Sequence, residues 1–97
     1  MYALVGRVEI KPGHEEETAT IAREHGPALV GGMSGSTTAY WARALDGRDK
    51  LVQHSFWLFE TEEDARAAET VFNSLRAMPQ APAAFISADV CEVIAQM

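Results

Sequence analysis

The stretch Leu51 to Glu60 constrains this 97-residue chain more than any other, because it is apolar on both faces and ends in Phe56-Trp57-Leu58-Phe59. Read as a strand, it places Val52, Phe56 and Leu58 on one side and Leu51, Trp57 and Phe59 on the other. Water is a poor neighbour for Trp and Phe side by side, so both sides ask for cover. A second copy packed against the sheet supplies it in one reading. A ligand cleft in a monomer supplies it in the other.

The strand ends at the sharpest boundary in the sequence. Thr61 suits a helix N-cap, and Asp64 stands where a capping-box acid belongs, although Asp is shorter than the preferred Glu. Glu62 and Glu63 fill the first turn, where the helix dipole favours negative charge. Ala65, Ala68, Val71, Phe72 and Leu75 recur at helical spacing and predict a helix from Glu62 to Ala77.

Four further elements follow from the same rules. Tyr2 to Ile10 alternates, with Tyr2, Leu4, Gly6, Val8 and Ile10 on one face and Ala3, Val5, Arg7 and Glu9 on the other. Lys11-Pro12-Gly13 stops that strand. His14 and three glutamates open a helix whose apolar face is expected at Ile21, His25 and Leu29, flanked by Ala22 and Ala28. Gly26-Pro27 predicts a kink or break in it, with a further turn to Val30 and an end at Gly31-Gly32. Thr37 to Leu45 reads as a second strand, joined to the third by a hairpin through Asp46-Gly47-Arg48-Asp49-Lys50. Beyond a loop bracketed by Pro79 and Pro82, Ala83 to Ile94 is the last strand. The order βαββαβ predicts a single α+β domain over residues 1–97. Its expected form is ferredoxin-like, an antiparallel sheet with both helices on one face.

Charge and composition narrow the function. The net charge of −6, with basic residues scattered along the chain, opposes binding to nucleic acid or an anionic membrane. Cys91 is the single cysteine, which excludes an internal disulfide and suits a reducing compartment, so the cytoplasm is the expected location. The N-terminus does not read as a signal peptide, and no apolar run is long enough to span a bilayer. No phosphate loop or dinucleotide fingerprint calls for a cofactor, and no histidine pair has metal-ligand spacing.

The candidate site residues depend on hairpin parity. If Leu45 pairs with Leu51, then Trp41 and Arg43 share a face with Gln53, Ser55, Trp57 and Phe59. Aromatic surface, a guanidinium and small polar groups together suit a flat substrate carrying an anionic or phenolate oxygen. The same aromatics could equally be packing, and a tight turn at Asp46-Gly47 would send Arg43 to the other face. His54 and His25 are the candidate bases: His54 faces the opposite way, beside Val52 and Phe56, and His25 adjoins the proline in the first helix.

Lys11-Pro12-Gly13 after the first strand, the aromatic-ended third strand running into Glu60-Thr61-Glu62-Glu63, and the helix and strand around a Pro-flanked loop resemble the antibiotic biosynthesis monooxygenase superfamily. The resemblance covers nearly the whole chain. It implies a homodimer of the dimeric α+β barrel type, with facing sheets and a small cavity between sheet and helices in each subunit. It also implies cofactor-free monooxygenase or isomerase chemistry on a small, flat, hydrophobic, aromatic or quinol-like molecule. A non-catalytic, ligand-binding or structural homodimer of the same fold is the alternative. The haem-degrading members use an Asn on the first strand and a Trp and a His on the second helix, which this sequence lacks. The polyketide-oxidising members use an Asn and a Trp on the third strand and a Tyr on the second helix. Here Ser55, Phe59 and Ala65 stand at those positions.

Overall fold

Six elements follow in the order β1 (Tyr2–Ile10), α1 (Glu15–Gly32), β2 (Ser36–Arg43), β3 (Val52–Phe59), α2 (Glu62–Ser74) and β4 (Ala83–Glu92). The computed structural model describes residues 1–33, 35–47, 50–74 and 83–96, without the side chains of 27 and 29–32. Leu75, Arg76, Met78 and both prolines of the expected loop lie outside the described residues, as do Arg48 and Asp49.

The strands form one antiparallel sheet in the order β2-β3-β1-β4, which is the ferredoxin-like arrangement. Direct pairing fixes the faces. Leu4 lies opposite Trp57 and Tyr2 opposite Phe59. Leu4 also pairs with Val90 of β4, and Ala39 of β2 pairs with Trp57. These side chains meet α2, and Leu4, Trp57, Phe59, Ala65 and Ala68 form the buried core. The opposite face carries Ala3, Val5, Tyr40, Val52, His54, Phe56 and Leu58 by the same alternation. A bulge between Arg7 and Val8 leaves Ile86 as an extra residue in β4.

The cap read from the sequence is present. The Asp64 amide donates to Thr61 Oγ1 at 3.2 Å, so one orphan N–H at the start of α2 is satisfied. At the other sharp turns, Gly13 and Gly47 adopt φ of 88° and 91°, where a Cβ would be strained.

Three expectations change. Of the kink or break expected at Gly26-Pro27, the break is absent; α1 runs as one element to Gly32. A proline there forfeits one backbone bond, to the carbonyl four residues back, which a helix held by its other bonds can tolerate. The buried side of α1 is not the row of Ile21 and His25, which are both exposed, but the row of Thr18, Ala19 and Gly26. Small residues win because they let the helix approach the sheet closely. Finally, β2 ends at Arg43 and β4 at Glu92. Leu45 is fully exposed where the turn begins. Past β4, Val93 N–H still bonds the Met1 carbonyl at 3.0 Å, but Ile94 projects into solvent.

Candidate functional site

A lateral cleft forms where the small-residue side of α1 meets the edge strand β2. Gly26 makes that meeting possible. A Cβ built there would lie 2.6 Å from Trp41 Cη2 and 2.8 Å from Cζ2, so the indole occupies the notch a side chain would fill. Trp41 is then held from behind, edge-on to Trp57 with ring centroids 5.2 Å apart. Two residues along β2, on the same face, the Arg43 Nη1–H donates to the Glu15 carbonyl of α1 at 3.1 Å. That bond ties the guanidinium to the first turn of the helix.

Ala19, Ala22, Arg23, Trp41, Ala42, Arg43 and Gln53 line this cleft, which has a volume of about 140 Å³. Arg43 also reaches a wider, adjoining cleft of about 470 Å³, lined by Glu15, Ala44, Leu45, Lys50 and Leu51. The Glu15 carboxyl is held below its usual range, first by a hydrogen bond from its own backbone N–H, then by one from Gly13. The positive charges of Arg43 and His14 add to this, against a small opposing effect of desolvation. Glu15 is therefore an anion near neutral pH and a poor general base.

The hairpin parity is settled by the register Arg43 opposite Gln53, Trp41 opposite Ser55 and Ala39 opposite Trp57. Trp41, Arg43, Ser55, Trp57 and Phe59 do share one face. They do not share one role in the packing. Trp41 and Arg43 line the cleft, whereas Ser55, Trp57 and Phe59 are buried behind it. Trp57 also meets Phe72 edge-on at 5.2 Å, and its buried Nε1–H has no hydrogen-bond partner among the described residues. His54 lies on the open face, stacked with Phe56 at 6.3 Å and opposite Arg7. His25 is exposed on α1, and His14 pairs with Glu17 at 2.7 Å. No histidine lines either cleft.

Arg23 is a cleft residue that sequence reasoning missed, as are Glu15 and Lys50 of the wider cleft. Arg23 follows Ala19 by four positions and precedes Gly26 by three. Helical spacing would have found it once the small-residue row, rather than Ile21 and His25, was taken as the inner side. No cluster of metal-ligating side chains occurs among the described residues. Nor is any helix there long and apolar enough to cross a membrane.

The sheet order, the helices on one face and the cleft at the edge strand define a ferredoxin-like α+β protein with a lateral cleft. Residues 1–70 match the antibiotic biosynthesis monooxygenase family, and the chain belongs to that family. Among curated proteins none matches. Solved structures with the same fold include the heme-degrader MhuD from Mycobacterium tuberculosis with two hemes bound in its active site. It is 17% identical, with a TM-score of 0.72, over 100% of this chain and 99% of that one. A Nitrosomonas europaea protein of unknown function is 22% identical, with a TM-score of 0.68, over 99% and 91% of the two chains. A candidate antibiotic biosynthesis monooxygenase from Chloroflexus aurantiacus J-10-fl is 17% identical, with a TM-score of 0.63, over 99% and 95%.

Proposed function

We propose that the protein is a cofactor-independent monooxygenase acting on a small, flat, phenolic or quinol-like molecule held in the cleft beside Trp41. The observation that carries this reading is that two arginines, Arg23 and Arg43, line the same slot as one indole, the rest of its wall being alanines and Gln53. Alanines leave room for a flat ring, and the indole offers it a stacking surface. The guanidiniums favour the phenolate over the phenol, whose free pKa is about 10. Solvent can accept that proton, so neither His54 nor His25 is assigned a role as base. The electron-rich phenolate ring reduces dioxygen. For a phenol with a free para C–H, one O₂ inserts one oxygen at that carbon and leaves the other as water. Four electrons from the ring yield the quinone, and no outside reductant is needed.

Oxygen consumption with 1-naphthol tests this directly. One O₂ should be consumed per naphthoquinone formed. Arg43→Ala should lower kcat/KM by roughly a hundredfold, the scale of losing one preorganised charge stabiliser. Arg43→Lys should recover little, because an ammonium lacks the planar fork that bonds helix and substrate together. Binding of 1-naphthol with no oxygen consumed would replace the enzyme by a ligand-binding module. Haem, the ligand in the MhuD structure, finds no imidazole here on either cleft wall.

The open sheet face supports a homodimer in the same reading, and free Cys91 is consistent with a reducing cytoplasm. Tyr40 and Phe56 pair directly across β2 and β3 and are 61% and 37% exposed, beside Val5 and Leu58. Two such faces packed together would remove this apolar surface from water. Phe56→Asp should convert a dimer to a monomer in sedimentation velocity while leaving the helical circular dichroism intact. A wild-type protein that sediments as a monomer at high micromolar concentration would end the dimer reading.

A further inference from the structure

We infer that the wider cleft beside Arg43 is a second subsite that holds an anionic substituent of the substrate, which makes the substrate class an aromatic hydroxy acid. The inference rests on the oxygenase reading of the narrower cleft and adds to it. Three observations support it.

The first is the concentration of positive charge. The chain carries eight basic residues and a net charge of −6, yet Arg23, Arg43 and Lys50 all line this one end of the molecule. On an acidic protein an anion is repelled nearly everywhere, so a local group of three cations is where it would settle.

The second is the shared wall. Arg43 lines both clefts and is positioned by the Glu15 carbonyl, so one bound molecule can pass from the slot into the wider space along a fixed guanidinium. A phenolate needs one side of that fork. The remaining donors, with Lys50 across the wider cleft, suit a carboxylate.

The third is the character of the wider cleft. Leu45 and Leu51 line it together with Arg43 and Lys50, so it can take the second ring of a fused aromatic as well as its charge. Glu15 stands on the same wall as a competing anion, and it would be weaker competition as an amide.

Calorimetric titration with 1-naphthol and 5-hydroxy-2-naphthoate, paired with oxygen consumption on both, tests the subsite. The acid should bind at least tenfold tighter than the naphthol, and that ratio should shrink as salt screens the exposed charges. Lys50→Glu should reduce the ratio by roughly tenfold, and Glu15→Gln should raise it. If 1-naphthol is bound and oxidised while the acid binds no tighter, the second subsite is overturned and the oxygenase reading stands. A ratio unmoved by Lys50→Glu overturns it in the same way. If neither compound binds, both readings fall.

Discussion

Trp57→Ala should leave the protein largely unfolded or within reach of unfolding at room temperature. Trp57 is 1% exposed and is the largest fully buried side chain. It meets Trp41 of β2 and Phe72 of α2, each edge-on at a centroid distance of 5.2 Å. Its removal thus costs contacts between three elements at once. Truncating a buried aromatic to Ala costs about 3–5 kcal/mol in transfer and cavity terms together. Domains of this size have about 5–15 kcal/mol in total. Trp57→Phe should be far milder, because it keeps an aromatic ring and removes an indole N–H that is buried without a partner among the described residues. Urea unfolding followed by circular dichroism reads both variants. A Trp57→Ala midpoint equal to that of the wild type would mean that Trp57 is not the centre of the core.

The second large effect is expected at a residue with no side chain. Gly26→Val should destabilise the protein by about 1–3 kcal/mol, the usual cost of overpacking, although helix propensity alone predicts a change in the stabilising direction. The obstacle is Trp41, whose Cη2 and Cζ2 atoms lie 2.6 and 2.8 Å from where the Cβ would sit. That ring cannot simply retreat, because Trp57 stands behind it. If it is displaced, the wall of the cleft goes with it, so 1-naphthol binding should fall along with stability. Gly26→Ala separates the two contributions, with helix propensity opposing a smaller clash. A Gly26→Val protein more stable than wild type would show that α1 does not press on Trp41 as described.

These two residues illustrate how unevenly the fold could be read in advance. Trp57 sits in a strand whose alternation is plain, and its burial under one cover or another was evident from the apolar groups around it. Gly26 read as a helix-breaking signal, because the rules for Gly and Pro are local. Its actual role is to admit an indole from a strand 15 positions along the chain. Nothing within the helix encodes that neighbour. The same limit misplaced the inner side of α1. Ile21 and His25 belong to the more apolar row and are exposed, the side chain of Leu29 lying outside the described residues, but Thr18, Ala19 and Gly26 form the row that can approach the sheet. Arg23 escaped notice because it could be placed on the cleft only after that row was known.

The candidate site was legible in proportion to how much of it lies on strands. Trp41 and Arg43 could be grouped with Ser55, Trp57 and Phe59 on condition that Leu45 faced Leu51. The observed register, Arg43 opposite Gln53, has the same parity as that pairing, although β2 ends at Arg43 and Leu45 and Leu51 lie beyond the paired residues. Which of the five reach solvent was not legible, because position along a strand does not say where a helix stops covering it. The cleft opens beside Trp41 and Arg43, against Ala19, Ala22 and Arg23 of α1, while Ser55, Trp57 and Phe59 stay inside.

By itself the sequence determined the kind and order of the six elements, the cap at Thr61, and which residues of each strand travel together. Those are consequences of backbone periodicity and local hydrogen bonding, which act within a few residues. Only the tertiary structure decided which of two apolar faces the helices cover, leaving Phe56 and Tyr40 outside and Trp57 within. Alternation relates the two sides of a strand to each other without saying which is inside. That choice belongs to long-range pairing and to the side on which the crossover helices lie.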